Sequence, residues 1–259
     1  MNDFHTQITS AIAKCLAWNS DLDSEAVIQA LAAAIPQVRQ PLEQLAKTAD
    51  LEHLTAAYPI LWKQKIGLVY GGATKIKNYV FESADLQEIR GASALLDRIN
   101  LVDLPAFFKA DTETSDRFIQ CQQARAYCEQ IRSGWLRENG FAELANALTP
   151  EMVIYSTGGN ILAFCPAALV DDLADAIEKR YTAETLTANA CAVGDTFYPL
   201  EIYLGLLAKS KDNKLSTDHP VWIDTIQDHR DNPAVRAYFG LSKKKDEDGR
   251  TLTSAEMVM

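Results

Sequence analysis

Two glycine pairs carry the most pointed chemistry in this sequence. Gly71-Gly72 follows the apolar run Ile66-Gly67-Leu68-Val69-Tyr70 and precedes Ala73-Thr74-Lys75. Gly158-Gly159 stands between Met152-Val153-Ile154-Tyr155 and Ile161-Leu162-Ala163-Phe164-Cys165. A glycine corner that opens a helix leaves free N–H groups at the positive end of the helix dipole, a combination that favours phosphate. Thr74 can cap such a helix and Lys75 can add a charge. Arg90-Gly91-Ala92-Ser93 reads as a second helix start of the same kind. Gly71, Gly72, Thr74, Lys75, Arg90 and Ser93 are therefore the candidate nucleotide-binding residues. The same residues also make tight turns and capped helices with no ligand, and the local pattern serves both readings.

Other chemistry finds less support. An HD-type nuclease needs adjacent His and Asp ligands, but His5, His53, His219 and His229 are followed by Thr6, Leu54, Pro220 and Arg230. The five cysteines, Cys15, Cys121, Cys128, Cys165 and Cys191, contain no CxxC pair and argue against a zinc ribbon. Cys121 and Cys128 lie seven apart, which on a helix puts both on one face, as small core residues. No Ser or Cys stands in a recognisable nucleophile motif with a His.

The elements that must position the glycines read as follows. Residues 1–64 form a helical module. Phe4, Ile8, Ile12 and Cys15 recur at helical spacing, Val27, Ile28, Leu31 and Ile35 make a second stripe, and Leu42, Leu45, Leu51 and Leu54 a third. A strand at Ile66–Tyr70 then enters a tight Gly71-Gly72 turn. Ile76, Tyr79 and Val80 face inward from the next helix. A second helix follows Arg90-Gly91 with Ala92, Leu95, Leu96, Ile99 and Val102 on one side. A longer helical pattern carries Ala124, Cys128, Ile131 and Trp135. Ser156–Asn160 is the turn of a hairpin, since glycine reaches positive φ without penalty. Leu169, Leu173, Ala176, Ile177 and Tyr181 mark a further helix, and Leu186–Val193 a last strand. Beyond Phe197, Pro199–Ala208 reads as helical, Val221-Trp222-Ile223 as a short apolar patch, and Lys243–Asp248 as a solvated charge run.

Strand, helices, strand, strand, helix, strand is the βαββαβ order of the ferredoxin-like arrangement, which includes the palms of polymerases and nucleotide cyclases. The expected fold is α+β: a helical module (1–64), a palm-like domain (65–205) and a C-terminal extension (206–259). Palm enzymes join nucleotides through two metal ions held by carboxylates. In cyclase-like palms those carboxylates sit at the end of the first strand and at the hairpin turn. Here the two places hold Tyr70-Gly71-Gly72 and Gly158-Gly159-Asn160-Ile161, with no Asp or Glu. Glu82, Asp85 and Asp97 fall on or between helices. A neutral Asn cannot supply a carboxylate's charge to a hard cation. The reading is a catalytically silent palm with no bound metal.

Composition sets outer bounds. With 259 residues, 47% of them apolar and 23% charged, the chain can bury a sizeable core. A net charge of −10 offers no electrostatic footprint for gripping nucleic acid directly. The absence of a membrane-length apolar run and of a basic-then-apolar N-terminus leads to the expectation of a cytoplasmic protein.

The segment Gly67–Asn100, with Tyr79-Val80-Phe81-Glu82-Ser83 and Arg90-Gly91-Ala92-Ser93-Ala94-Leu95-Leu96, resembles the first palm of the large subunit of type III CRISPR effector complexes, the Cmr-type version most nearly. The hairpin at Ile154–Asn160 falls where such a palm has its own. The resemblance covers roughly residues 66–205. It implies a subunit of an RNA-guided antiviral complex in which Gly71, Gly72, Thr74, Lys75 and Ser93 line the non-catalytic half of a composite ATP site. The implied partners are other type III subunits, a second-palm polypeptide, and crRNA and target RNA reached through the assembly. The family's HD motif, zinc cysteines and second palm with its Gly-Gly-Asp-Asp turn are missing, so the chain looks like a truncated or split large subunit. Two other readings stand beside this one: an active nucleotide cyclase or polymerase, and an α+β adaptor unrelated to CRISPR.

Overall fold

Residues 2–18, 25–35, 60, 64–108 and 122–199 are described by a computed structural model of the chain, and elements are numbered among these residues. The mixed α+β expectation holds: helices pack with one four-stranded, wholly antiparallel sheet. The strands are β1 (Ile66–Thr74), β2 (Val153–Thr157), β3 (Asn160–Pro166) and β4 (Asn189–Phe197), in the spatial order β2-β3-β1-β4. Only β2 and β3 are joined by a hairpin. The other connections, from β1 to β2 and from β3 to β4, cross over through helices.

The chain divides into two compact units, one of residues 1–28 with 65–197 and the other of 29–64 with 198–259. A break at residue 65 is kept, but residues 1–28 group with 65–197 rather than with 29–64. The first helix, α1 (Asn2–Ala17), packs with β1, β3 and the short turn before β2. Ala13, Leu16 and Ala17 are buried there, and Lys14 pairs with Glu151 at 3.1 Å. A helix that looked like part of a separate module instead packs with elements far along the chain, β1 starting at Ile66 and β3 at Asn160. Helix α2 (Glu25–Ala34) buries Leu31 and Ala34. The leucine stripe at 42–54, His53, Cys121 and every pattern beyond Pro199 lie outside the described residues.

The described part of the first crossover is mostly helical: α3 (Ile76–Val80), α4 (Leu86–Arg98), a π-helical turn at Ile99–Asp103 and α5 (Leu104–Phe108). It resumes with α6 (Gln122–Glu129), a second π-helical turn at Gln130–Trp135, α7 (Leu136–Glu138) and α8 (Ala142–Ala147). The second crossover is α9 (Val170–Thr185), which packs on β1 and β4. Its stripe of Leu173, Ala176, Ile177 and Tyr181 is fully buried, as the helical spacing predicts. Each such Leu or Ile contributes roughly 1.5–3 kcal/mol by leaving water.

Three local readings are corrected. Gly71-Gly72 is no turn: β1 runs straight through it to Thr74, and the chain turns at Lys75, whose φ is 52°. Arg90-Gly91 does not open a helix. Asp85 caps α4 five residues earlier, its Oδ1 accepting from the N–H groups of Gln87 (2.7 Å) and Glu88 (3.3 Å). The last strand starts at Asn189, because Leu186 ends α9 in a left-handed conformation, φ 61°, with its side chain in solvent.

Candidate functional site

The two glycine corners meet. In the β1–β3 register Gly72 lies opposite Asn160 and Gly71 opposite Ile161. Past the last ladder pair, the Ala73 N–H donates to the Gly159 carbonyl at 2.9 Å. Gly158 (φ 64°) and Gly159 (φ 86°) form the two-residue turn between β2 and β3, a conformation that admits glycine far more readily than any residue with a Cβ. The expected hairpin is therefore present, with the turn tightened from five residues to two.

Gly71 and Gly72 serve close packing rather than backbone freedom. Neither has positive φ. A Cβ on Gly72 would collide with the Gly159 carbonyl and come within 2.7 Å of the Asn160 Cα. A Cβ on Gly71 would come within 2.5 Å of the Ala192 Cβ and 3.2 Å of the Ile177 side chain. Because β1 is paired on both sides, these glycines sit within the ladder and form no free N–H nest. Thr74 ends the strand and donates from its hydroxyl to the Asn189 carbonyl at 3.3 Å, so it caps no helix. Lys75 is exposed at the turn, before a helix of only five residues. Arg90 and Ser93 are exposed midway along α4.

Beneath the corner lies a buried polar layer. The π-helical turn Ile99–Asp103, closed by the Leu104 N–H bonding to the Ile99 carbonyl, carries two fully buried polar residues, Asn100 and Asp103. The Asn100 Oδ1 accepts from the Gly159 N–H at 3.2 Å, and its Nδ2 donates to the Ser156 hydroxyl at 3.4 Å. Ser156 in turn donates to the Asn100 backbone carbonyl. The Tyr181 hydroxyl donates to the Gly159 carbonyl at 3.2 Å. Burial pushes the Tyr181 phenol up to about 12, against the opposing pull of the Asn100 amide and the Ala73 N–H.

Asp103 anchors the other half of that layer. Arg180 donates to its Oδ2 from Nε at 2.9 Å and from Nη2 at 2.8 Å, and the Tyr127 hydroxyl donates to Oδ1 at 3.0 Å. Glu184 pairs with both Arg180 (2.9 Å) and Arg98. Burial opposes the Arg98 charge, yet Asp103, Tyr127 and Glu184 together raise its pKa. Burial, then the Asp103 carboxylate, raises the Tyr127 phenol. Arg180 also lies over the Trp135 ring at 5.1 Å, which stacks on Phe107 at 5.7 Å. This network ties α4, α6 and α9 together. Outside it, the Glu178 carboxylate on α9 accepts from the N–H of Ala192, the β4 partner of Gly71, at 2.8 Å.

The opposite face of the sheet is exposed at the corner end. Tyr155, Leu162, Tyr70 and Val193 stand in register across all four strands. Tyr70 is 44% exposed, Tyr155 39% and Val193 61%. Thr157, Asn160, Gly72 and Cys191 form the next row toward the corner. Burial, then the Tyr70 phenol, raises the Tyr155 pKa.

No family model and no curated protein matches this chain. Among the described residues, no three His, Cys, Asp or Glu side chains are grouped to hold a metal ion, and no helix is long and apolar enough to cross a membrane. Glu82 and Asp97 are exposed, and Asp85 is engaged as a helix cap. The buried residues Asn100, Asp103, Arg180 and Tyr181 and the half-buried Ser156 were not singled out as polar partners from sequence. Asn100 and Asp103 break the apolar period of the α4 stripe, and that irregularity was the one available signal.

Proposed function

We propose that residues 65–197 form a ferredoxin-like palm, and that the chain is a non-catalytic palm subunit of an RNA-guided type III CRISPR effector complex. The observation that carries the reading is the meeting of the two glycine corners: Gly72 faces Asn160 across neighbouring antiparallel strands of a β2-β3-β1-β4 sheet whose crossovers are helical. That strand order, with a hairpin between β2 and β3, is the one a βαββαβ chain takes when each crossover returns over the same face. The place where palm enzymes keep metal-binding carboxylates carries Tyr70, Gly72 and Asn160 instead.

The chain's part in nucleotide chemistry is then that of a platform. It supplies the non-catalytic half of an ATP site for cyclic oligoadenylate synthesis, and a second-palm polypeptide supplies the acids. Gly71 and Gly72 shape the corner by packing. Thr74, Lys75, Arg90 and Ser93, all exposed, are the candidates to touch the nucleotide. Contacts with crRNA and target RNA run through the other subunits, as suits a chain of net charge −10.

Co-expression with type III subunits and a crRNA tests the reading. The chain is expected to co-purify with the assembly, and calorimetry is expected to detect ATP only once a second palm is present. A chain that stays out of the assembly and binds no ATP with any second palm would overturn it.

A further inference from the structure

The hairpin corner is fastened from below by one side chain that no reading of palms requires. Asn100 is 1% exposed, sits in a π-helical turn and spends both ends of its amide on the β2–β3 hairpin: Oδ1 on the Gly159 N–H and Nδ2 on the Ser156 hydroxyl. Ser156 closes the ring by donating back to the Asn100 carbonyl. The turn residue Gly159 is thus held at its N–H by Asn100 and at its carbonyl by Tyr181 and Ala73. A two-residue turn with both φ values positive has alternative conformations open to glycine, and little in its own sequence selects among them. Its conformation decides where Thr157 and Asn160, the residues flanking it, project on the open face.

We propose that Asn100 is the positioning residue of this corner: the π-helical turn at Ile99–Asp103 exists to seat its amide beneath Gly159, and that contact selects the turn conformation presented to whatever binds the open face. π-Helical turns are rare and concentrate where a helix must re-aim a side chain. Here the extra residue per turn lets one short segment bury Asn100 toward the hairpin and Asp103 toward Arg180. The inference concerns the free protein and stands apart from the nucleotide and CRISPR readings.

Amide hydrogen exchange on the full chain, read residue by residue by NMR, tests it. Asn100→Ala is expected to speed exchange at Gly159 by at least tenfold and to shift the Gly158, Gly159 and Asn160 resonances. The β1–β4 ladder amides at Tyr70 and Val193 should keep their rates. Asn100→Asp keeps an acceptor for the Gly159 N–H and is expected to restore most of its protection. Should Asn100→Ala fail to fold, Ser156→Ala gives the same readout, with a several-fold acceleration confined to the turn. A uniform acceleration across the sheet would reduce Asn100 to a general stability residue, and unchanged exchange at Gly159 would remove the contact altogether. Either result overturns the proposal.

Discussion

The two faces of one sheet follow opposite rules at the same residues' neighbours. Along β1, Gly67, Val69, Gly71 and Ala73 alternate with Ile66, Leu68, Tyr70, Gly72 and Thr74. The first set meets α9: Cβ atoms on Gly67 or Gly71 would crowd Val170 or Ile177. It is small because α9 lies close. In the second set Ile66 is fully buried, Tyr70 is 44% exposed and Thr74 is exposed, while Gly72 between the last two is buried against the hairpin. The helix-covered face also hides Asp103 and Arg180, each paired by short bonds, whereas the open face shows Tyr70, Tyr155 and Val193 to solvent, and its one charged residue in register with β1, Asp195 beside Leu68, is exposed. Polarity here does not sort by depth. It sorts by whether a partner is supplied.

That contrast can be broken most severely at the ion pair. Arg180→Ala leaves Asp103 buried without its main partner and should lower unfolding stability by about 3–5 kcal/mol, measured by urea titration. A loss below about 1 kcal/mol would mean that the carboxylate finds water in the folded chain. Next in size is Gly72→Ala, which drives a Cβ into the Gly159 carbonyl and should cost about 1–3 kcal/mol by forcing the hairpin away from β1.

A pH scan sharpens the buried side of the contrast. Burial holds the Cys165 thiol up at about 12 against an ordinary 9, and Tyr181 up at about 12 against 10. The unfolded chain loses these protons first, so stability present below about pH 9 should drain away as pH rises toward 12. Cys165→Ala should flatten that alkaline limb in circular-dichroism melts. Smallest of all is the open face, where Tyr70→Ala and Val193→Thr should each change stability by within about 0.5 kcal/mol. Losses of core magnitude there would show that the face is covered after all.

Much of this was legible in the chain. The α9 stripe of Leu173, Ala176, Ile177 and Tyr181 and the Gly158-Gly159 hairpin follow from periodicity and turn chemistry, and the alternation of helical and β-rich runs gave the element order. Gly71-Gly72 was misread because sequence does not distinguish a glycine needed for positive φ from one needed for close approach. The first kind ends strands and the second lets them continue. Arg90-Gly91 misled for a related reason: an exposed glycine within α4, with nothing near its Cβ position, looks like a boundary when only local propensity is weighed. The π-helical turns have no compositional signature, so the burial of Asn100 and Asp103 and the inward bonding of half-buried Arg132 were hidden. Arg132, in the second of these turns, donates to the carbonyls of Phe107, Ala145 (2.6 Å) and Leu148 (2.9 Å), long-range partners that no spacing rule supplies.

If the chain is the non-catalytic palm proposed above, the corner where Gly72 meets Asn160, with the nearby Glu178 carboxylate bonded to the Ala192 N–H, should give a divalent cation nothing to hold. Titrating Mn²⁺ into the ¹⁵N-labelled chain and following paramagnetic broadening of single amides tests this at the residues concerned. The Gly72, Gly159 and Asn160 signals should fade no sooner than that of Gly140, a turn glycine elsewhere in the fold. Selective loss of the three corner signals at low Mn²⁺ would place an ion in the cleft and contradict the account.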